Sequence, residues 1–130
     1  MSELYEVIDN KKGLIPGKAV MKEKIMQAEQ TLGLSFSPEY CSYLLRYGEI
    51  SYYRHELTGI TESTRLHVVN VTFEEWELNN LIPHDMYVIE QTNVDGIVIW
   101  QNRSGKIFKS IPFGEPVLLC DSLADYISKY

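Results

Sequence analysis

The residues that could support catalysis or metal binding are few and lie far apart in the chain. The three histidines, His55, His67 and His84, fall in different segments, and no two have the i, i+4 spacing that places metal ligands on one helix face. The chain has no Cys-x-x-Cys or His-Glu-x-x-His motif and no glycine-rich phosphate-binding loop. The sequence therefore predicts no metal site, no cofactor and no catalytic residue, and we expect the protein not to be an enzyme.

The two cysteines, Cys41 and Cys120, are candidates for a nucleophile or a disulfide. Cys41 lies beside Tyr40 and Leu44 on a predicted helix, and Cys120 ends an apolar strand. A reactive cysteine needs an exposed, electropositive setting, so we expect both thiols to be buried. The first residues show no export signal, which favours a cytoplasmic location where a disulfide is disfavoured.

The charge of the chain is uneven. Among 130 residues there are 12 Lys and Arg and 18 Asp and Glu, giving a net charge of −6, which excludes a free-standing basic nucleic-acid binder. Residues 51–95 contain only two basic residues, Arg54 and Arg65, against eight acidic ones: Glu56, Glu62, Glu74, Glu75, Glu77, Asp85, Glu90 and Asp95. This excess predicts a negative surface suited to a cationic partner, although dispersed acids that serve solubility are an equally simple interpretation.

Aromatic residues within the acidic segment are candidates for interface anchors. Tyr52, Tyr53 and Arg54 are adjacent in sequence, and Tyr and Arg are typical of protein interfaces. Strand alternation predicts that one of the two tyrosines enters the core. Trp100, in an apolar run, is predicted to be buried, whereas Trp76, among glutamates, is predicted to lie at the surface.

Two helices are predicted in the first part of the chain. Met21, Ile25, Ala28 and Leu32 form one apolar stripe, which predicts a helix over residues 20–32 that ends at Gly33. Ser37 and Pro38 are typical of an N-cap and a first helical position, so a second helix should run from there to Gly48. The short connector predicts that the two helices pack as a hairpin.

The remainder of the chain favours strands. Residues 50–54, 57–60 and 66–71 have β propensity, and residues 72–75 match a capping box that would begin a short helix. Segments 86–91, 97–101, 106–111 and 116–120 predict an antiparallel meander, and Asp121 or Ser122 would cap a last helix. The fold class is therefore α+β: one domain over residues 1–130, with an antiparallel sheet of about six strands covered by the helical hairpin and the C-terminal helix.

The order of short motifs resembles the signature of the SUKH superfamily. Residues 25–34 are followed by Ser37-Pro38-Glu39-Tyr40, by Tyr43-Leu44-Leu45 and by Tyr47-Gly48, as in the N-terminal part of that signature. Residues 56–60 look like the family's Leu-Tyr-Gly-Ile/Val strand, and residues 87–96 and 105–107 match its later strand, turn and hairpin. The Ser-Phe-Ser segment before Pro38 departs from the usual pattern.

This resemblance implies an α+β fold and a role without transferable catalytic residues. Bacterial members of the superfamily are immunity proteins that neutralise a cognate polymorphic toxin, often a nuclease domain, and eukaryotic members include cell-wall and signalling scaffolds. Because nuclease active sites are commonly basic, an inhibitor that presents carboxylates in place of phosphates would occlude one.

Together, the charge pattern and the resemblance favour a bacterial immunity protein that binds a toxin, in particular a nuclease domain, through an acidic and aromatic surface. The expected partner is this toxin domain, with no direct contact to nucleic acid or membrane. The alternative is a non-catalytic interaction scaffold for an endogenous protein. The predicted partner-binding residues are Tyr53, Arg54, Glu56, Glu74, Glu75, Trp76, Glu77 and Asp95.

Overall fold

The computed structural model of the protein describes residues 2–130, which contain five α-helices and seven short strands. In chain order these are α1 (Ser2–Asp9), β1 (Ile15–Pro16), α2 (Lys22–Leu32), α3 (Pro38–Tyr47), β2 (Ile50–Tyr52), β3 (His55–Glu56), α4 (Val68–Leu78), β4 (Tyr87–Gln91), β5 (Val98–Gln101), β6 (Ile107–Ser110), β7 (Val117–Cys120) and α5 (Leu123–Lys129). None of the helices in this range is long and apolar enough to cross a membrane.

The helical pair α2 and α3 confirms the prediction made from its end signals. Gly33 has a φ of 71° and donates its N–H to the last carbonyls of α2, as a left-handed C-cap does. The Ser37 hydroxyl accepts a hydrogen bond from the Tyr40 N–H at 2.9 Å, and Pro38 occupies the first turn of α3. Both boundaries are local features, which the sequence alone predicts.

The strands form two antiparallel sheets, so the prediction of one sheet of about six strands is wrong. One sheet has the order β1-β2-β3 and the other is the predicted meander β4-β5-β6-β7. The chain after β3 meets β4 through one backbone hydrogen bond, from Thr58 N–H to Ile89 O at 2.8 Å. The next residue, Gly59, packs against the Gly48 carbonyl, where an added Cβ would lie 1.9 Å from that oxygen.

Helix α4 replaces the strand predicted over residues 66–71. It begins at Val68, and the His67 side chain caps it by accepting the Val69 N–H through Nδ1 at 3.2 Å. Val68 and Val71 are spaced to bury on one helix face, and this packing outweighs their β propensity. The predicted capping box is also wrong, because Thr72 lies inside the helix and its buried hydroxyl accepts the Val88 N–H at 3.0 Å.

The apolar side chains form one core cluster shared by the helices and both sheets. Trp100 is buried in it, as predicted. Helix α1, for which the sequence reasoning gave no prediction, packs against α5 and contributes Leu4 and Ile8 to the core. Cys120 is buried and Cys41 is half-buried, and the two thiols are not paired.

Candidate functional site

Three of the predicted partner-binding residues line one open cleft beside the turn between β2 and β3, which we call the hairpin cleft. Its volume is about 640 Å³, and Tyr53, Arg54 and Glu56 contribute to its wall. Tyr53 is 73% exposed, while Tyr52 is buried, so the alternation of the two tyrosines is confirmed. The Arg54 guanidinium lies 5.2 Å from the centre of the Tyr53 ring, which gives an exposed cation–π pair.

Glu90 forms the floor of the hairpin cleft. Its carboxylate is 3% exposed and lies 3.0 Å from Nδ1 of His55. It also accepts hydrogen bonds from the Tyr126 hydroxyl at 2.5 Å and from the Glu56 N–H at 3.2 Å. Burial and the neighbouring carboxylate raise the pKa of Tyr126 far above its ordinary value, so its hydroxyl stays protonated and donates. The network connects β3, β4 and α5.

Glu56 is paired at the rim of the same cleft. The two terminal nitrogens of Arg65 donate hydrogen bonds to its two carboxylate oxygens at 3.0 and 2.9 Å. This bidentate contact lowers the pKa of Glu56 and raises that of Arg65. Arg65 thus compensates part of the negative charge that the sequence reasoning assigned to Glu56.

The hairpin cleft brings ionisable groups together, as a catalytic site would. His55, oriented by a buried Glu90, is the arrangement of a general base. Among the side chains of residues 3–130, however, no hydroxyl or thiol is hydrogen-bonded to the His55 ring, and the carboxylates of Glu56 and Glu90 already accept donors from the protein. His55, Glu56 and Glu90 thus have protein partners, which is typical of a structural network with an exposed polar rim. The Tyr52 hydroxyl, which belongs to another residue of the cleft wall, is buried without a hydrogen-bond partner among these residues.

The cysteines do not supply the missing nucleophile. Burial raises the pKa of the Cys41 thiol to about 11 and also raises that of Cys120. At neutral pH both therefore stay protonated. Over the described part of the chain, His, Cys, Asp and Glu side chains form no group of three or more that could hold a metal ion.

The glutamates of α4 lie on a second part of the surface. Glu74 and Glu77, three residues apart, are exposed on one side of the helix, and Glu75 is half-buried. The side-chain amide of Gln91 on β4 donates a hydrogen bond to Glu75 Oε2 at 2.6 Å. Part of the negative charge of residues 51–95 therefore lies on the exposed surface of α4.

Trp76 is a correction to the predicted anchors. It is 7% exposed, and its indole N–H donates to the Met86 carbonyl at 3.1 Å. Its ring stacks on His84 at a centroid distance of 4.1 Å. Trp76 therefore lies on the inward side of α4 and belongs to the core. It does not provide a surface anchor.

A smaller concave surface, the α4 groove, adjoins the hairpin cleft. Its volume is about 250 Å³ and it lies between α4, the β4–β5 loop and the β6–β7 turn. Gln91 and Asn93 line both concavities, so Tyr53, Arg54 and Glu56 on one side and Glu75 on the other border one continuous surface. Asp95 is exposed in the β4–β5 loop, next to Gly96, which lines the groove.

The sequence reasoning missed exposed apolar residues at this groove. Leu78 is 66% exposed, Ile111 is 56% exposed and Phe113 is 82% exposed. The signal for Phe113 was its place in the turn Pro112-Phe113-Gly114, where a large apolar ring has no strand or helix partner. The candidate site thus combines carboxylates with an apolar centre.

The comparisons with known proteins support the fold. The family model described as SUKH_5, SMI1-KNR4 cell-wall, matches residues 1–111. A crystal structure of a protein from Pseudomonas syringae pv. tomato superposes with a TM-score of 0.79 at 14% sequence identity, over 99% of this chain and 96% of that one. At this identity the likeness shows a common fold. No curated protein matches the chain.

Proposed function

Because the chain belongs to the SMI1-KNR4 cell-wall family, SUKH_5, we propose that it is a non-catalytic immunity protein that binds and neutralises a cognate polymorphic toxin. We infer that the toxin is a nuclease domain and that it docks on the surface formed by the hairpin cleft, the α4 groove and the exposed side of α4. Residues 1–130 form a single domain of this family.

The observation that carries the proposal is the continuity of this surface. The two concavities share Gln91 and Asn93, and the acidic side chains of α4 and Asp95 lie beside them. A surface with exposed aromatic and apolar residues at its centre and charge around it is typical of a protein interface. A sealed, deeply buried pocket would instead favour a small ligand.

The carboxylates give the docking surface its selectivity. A nuclease that holds phosphates presents Lys and Arg at its active site, and Glu74, Glu75, Glu77 and Asp95 are suited to those groups. Glu56 contributes less, since Arg65 already neutralises it. Tyr53 and Arg54 remain the proposed anchors from the predicted set, in place of the buried Trp76.

Protection of cells tests the proposal. If the neighbouring gene encodes a secreted protein with a variable C-terminal domain, that domain is expressed in a host with and without this protein. We expect growth to be rescued, and the purified pair to form a stable complex. Co-purification with an endogenous protein in a strain that lacks the toxin gene, without rescue, would instead establish the interaction scaffold.

The stoichiometry of inhibition separates a binder from an enzyme. A passive inhibitor blocks toxin activity in proportion to the complex formed, so titration at concentrations well above the Kd should reach full inhibition at equimolar protein. Complete inactivation at a small fraction of the toxin concentration would require turnover. That result would contradict a non-catalytic role and would direct attention to His55 in the hairpin cleft.

A further inference from the structure

We propose that the α4 groove binds one Lys or Arg side chain of the protein's partner, with Glu75 as its counter-charge and Leu78, Ile111 and Phe113 as the walls for its aliphatic stem. The proposal rests on the proposed function only in taking the partner to be a protein. It assigns a specific chemistry to one part of the docking surface.

Among the described residues, Glu75 is the one charged residue that lines the groove. The Gln91 side-chain amide donates a hydrogen bond to Glu75 Oε2 at 2.6 Å, and Glu75 Oε1 has no hydrogen-bond partner among residues 3–130. A carboxylate that is half-buried, held in position and open at one oxygen is suited to a charge-assisted hydrogen bond from an ammonium or guanidinium group. Because the Gln91 amide is neutral, its hydrogen bond does not compensate the negative charge of Glu75.

The rest of the groove is mainly apolar. Leu78 stands at one side, and Ile111 and Phe113 stand at the other, all exposed to solvent. At the bottom, the Trp100 indole N–H donates to the Ser110 hydroxyl at 2.9 Å, so this N–H is not available to an anion. An apolar channel that leads to a carboxylate matches the long stem and charged end of Lys or Arg.

The size of the groove favours a side chain over a small-molecule ligand. Its volume of about 250 Å³ lies below the range of about 300–1,000 Å³ that is typical of ligand pockets. The exposed Glu74, Glu77 and Asp95 add further negative charge nearby, which would repel an acidic occupant and attract a basic one. Charge complementarity therefore selects the basic residue among the side chains that would fit.

The backbone conformation and the exposure of Phe113 are the strongest indication that the groove binds a partner. Its φ is +62°, a conformation in which glycine is normally found, at the third position of the turn closed by Gly114 N–H and Ile111 O at 3.0 Å. Asn79 Nδ2 holds the turn through the Gly114 carbonyl at 2.9 Å. The chain thus keeps a strained backbone and presents a ring that is 82% exposed, which gains little from folding.

A matched pair of peptides tests the proposal directly. The probe is the pentapeptide acetyl-Ala-Leu-Arg-Leu-Ala-amide, and its control carries citrulline, which keeps the shape of Arg and removes the charge. In ¹⁵N NMR titrations of the full chain, we expect the Arg peptide to bind with a millimolar Kd and to shift the Trp100 indole N–H, the Gln91 side-chain amide and Gly114. The citrulline peptide should bind at least tenfold more weakly.

Two substitutions on one helix serve as variant and control. Glu75→Gln should weaken the Arg peptide about tenfold, whereas Glu74→Gln, which removes the same charge outside the groove, should change its Kd less than twofold. Phe113→Gly should also weaken binding severalfold while leaving the thermal midpoint unchanged or higher, since it relieves the left-handed strain. A lower thermal midpoint would show that the Phe113 ring has a structural role.

Several results would overturn the groove proposal: equal losses for the two glutamate variants, equal binding of Arg and citrulline peptides, or shifts confined to residues outside the groove. Concentration-dependent self-association through these residues would assign the groove to a second copy of the chain. The proposed function is judged separately, by rescue from the toxin. Peptide binding without rescue would refute the immunity role alone, and rescue without binding of the Arg peptide would refute the groove alone.

Discussion

Glu90 shows that an acidic residue of the middle segment can serve the fold and not the surface. The carboxylate is buried and accepts hydrogen bonds from His55, Tyr126 and the backbone of Glu56. Charged buried groups persist only when such partners replace water. Glu90 therefore stabilises the junction of β3, β4 and α5, and it adds no exposed carboxylate for a partner.

A substitution at Glu90 tests this role. Glu90→Gln keeps the shape of the side chain but removes the negative charge. It also places the new amide N–H group opposite a hydrogen-bond donor of the network, so we expect the free energy of unfolding to fall by about 2 kcal/mol. The measurement is urea denaturation at pH 7. Glu62→Gln, at an exposed site, is the control and should change stability by less than about 0.5 kcal/mol. Equal effects of the two variants would contradict the network.

His67 makes stability depend on pH. Burial, together with the charge of Lys24, lowers its pKa below the ordinary value of 6.5. The folded protein therefore binds fewer protons at this residue than the unfolded chain, so its contribution to stability is present above pH 6.5 and is lost as the pH falls through the lowered pKa. Protonation of Nδ1 also removes the acceptor that caps α4 at the Val69 N–H.

Replacement of His67 by an uncharged cap tests that dependence. His67→Asn retains a side-chain acceptor and does not titrate, so we expect stability near that of the wild type at pH 7.5. Between pH 7.5 and 5 the wild type should lose about 1 kcal/mol more than the variant, the worth of one helix cap. Urea denaturation at both pH values measures the difference. Parallel losses in the two proteins would show that His67 does not titrate with folding.

Among the elements, α5 depends on a residue far away in sequence. The Glu39 carboxylate on α3 accepts the Leu123 N–H at 2.7 Å and the Ala124 N–H at 3.0 Å, at the first turn of α5. Ser122 supplies the local cap by accepting the Asp125 N–H at 3.0 Å. A helix of seven residues gains little from propensity, so these contacts and its buried face hold it in place.

Removal of the distant cap should therefore loosen α5. Glu39→Ala should lower the free energy of unfolding by about 1–2 kcal/mol, because two backbone N–H groups of α5 and the side-chain amide of Gln101 lose their acceptor. Amide hydrogen exchange of α5 should accelerate more than that of β2, which makes no hydrogen bond with Glu39. Glu23→Ala, at an exposed position in the first turn of α2, is the control and should leave both exchange patterns unchanged. Uniform acceleration over the whole chain would argue against a local cap.

The same elements show what the sequence could predict. The caps at Ser37-Pro38 and Gly33 and the turns of the meander are set by the residues at those positions. The sequence therefore predicts the helical pair and strands β4 to β7. The first turn of α4, residues 68–71, cannot be predicted in this way, because the burial of Val68 and Val71 determines that these residues are helical. The division into two sheets cannot be predicted in this way either, because it depends on contacts between separate segments, and the close approach of Gly59 to Gly48 is an example that no local pattern predicts.

For the whole molecule, the sequence predicted an acidic segment, and the structure divides its charges among three roles. Glu90 is buried, Glu56 is paired with Arg65, and Glu74, Glu77 and Asp95 are exposed. Sequence alone could not separate them, because each role is set by partners far along the chain. The same holds for Trp76, whose acidic neighbours in sequence face outwards while its own ring faces the core.

The α4 carboxylates should act mainly on the rate of association. Opposite surface charges accelerate encounter, and salt screens them over about 10 Å at 0.1 M. With all three glutamates of α4 replaced by Lys, we expect association with the proposed toxin domain to slow by about 10- to 1,000-fold at low salt. The difference should shrink as salt is raised. Glu3, Glu6 and Glu23, which line neither concavity, provide a control reversal with the same charge change.

The acidic surface of α4 and its two concavities form the proposed binding site for the toxin. The association rate constant for the proposed toxin domain tests this assignment, measured by stopped flow at 20 mM and 500 mM salt for the wild type and both triple reversals. This assignment predicts a large, salt-dependent loss for Glu74→Lys/Glu75→Lys/Glu77→Lys and a small one for the control reversal on α1 and α2. Equal rates for the two reversals, or no loss in either, would contradict it.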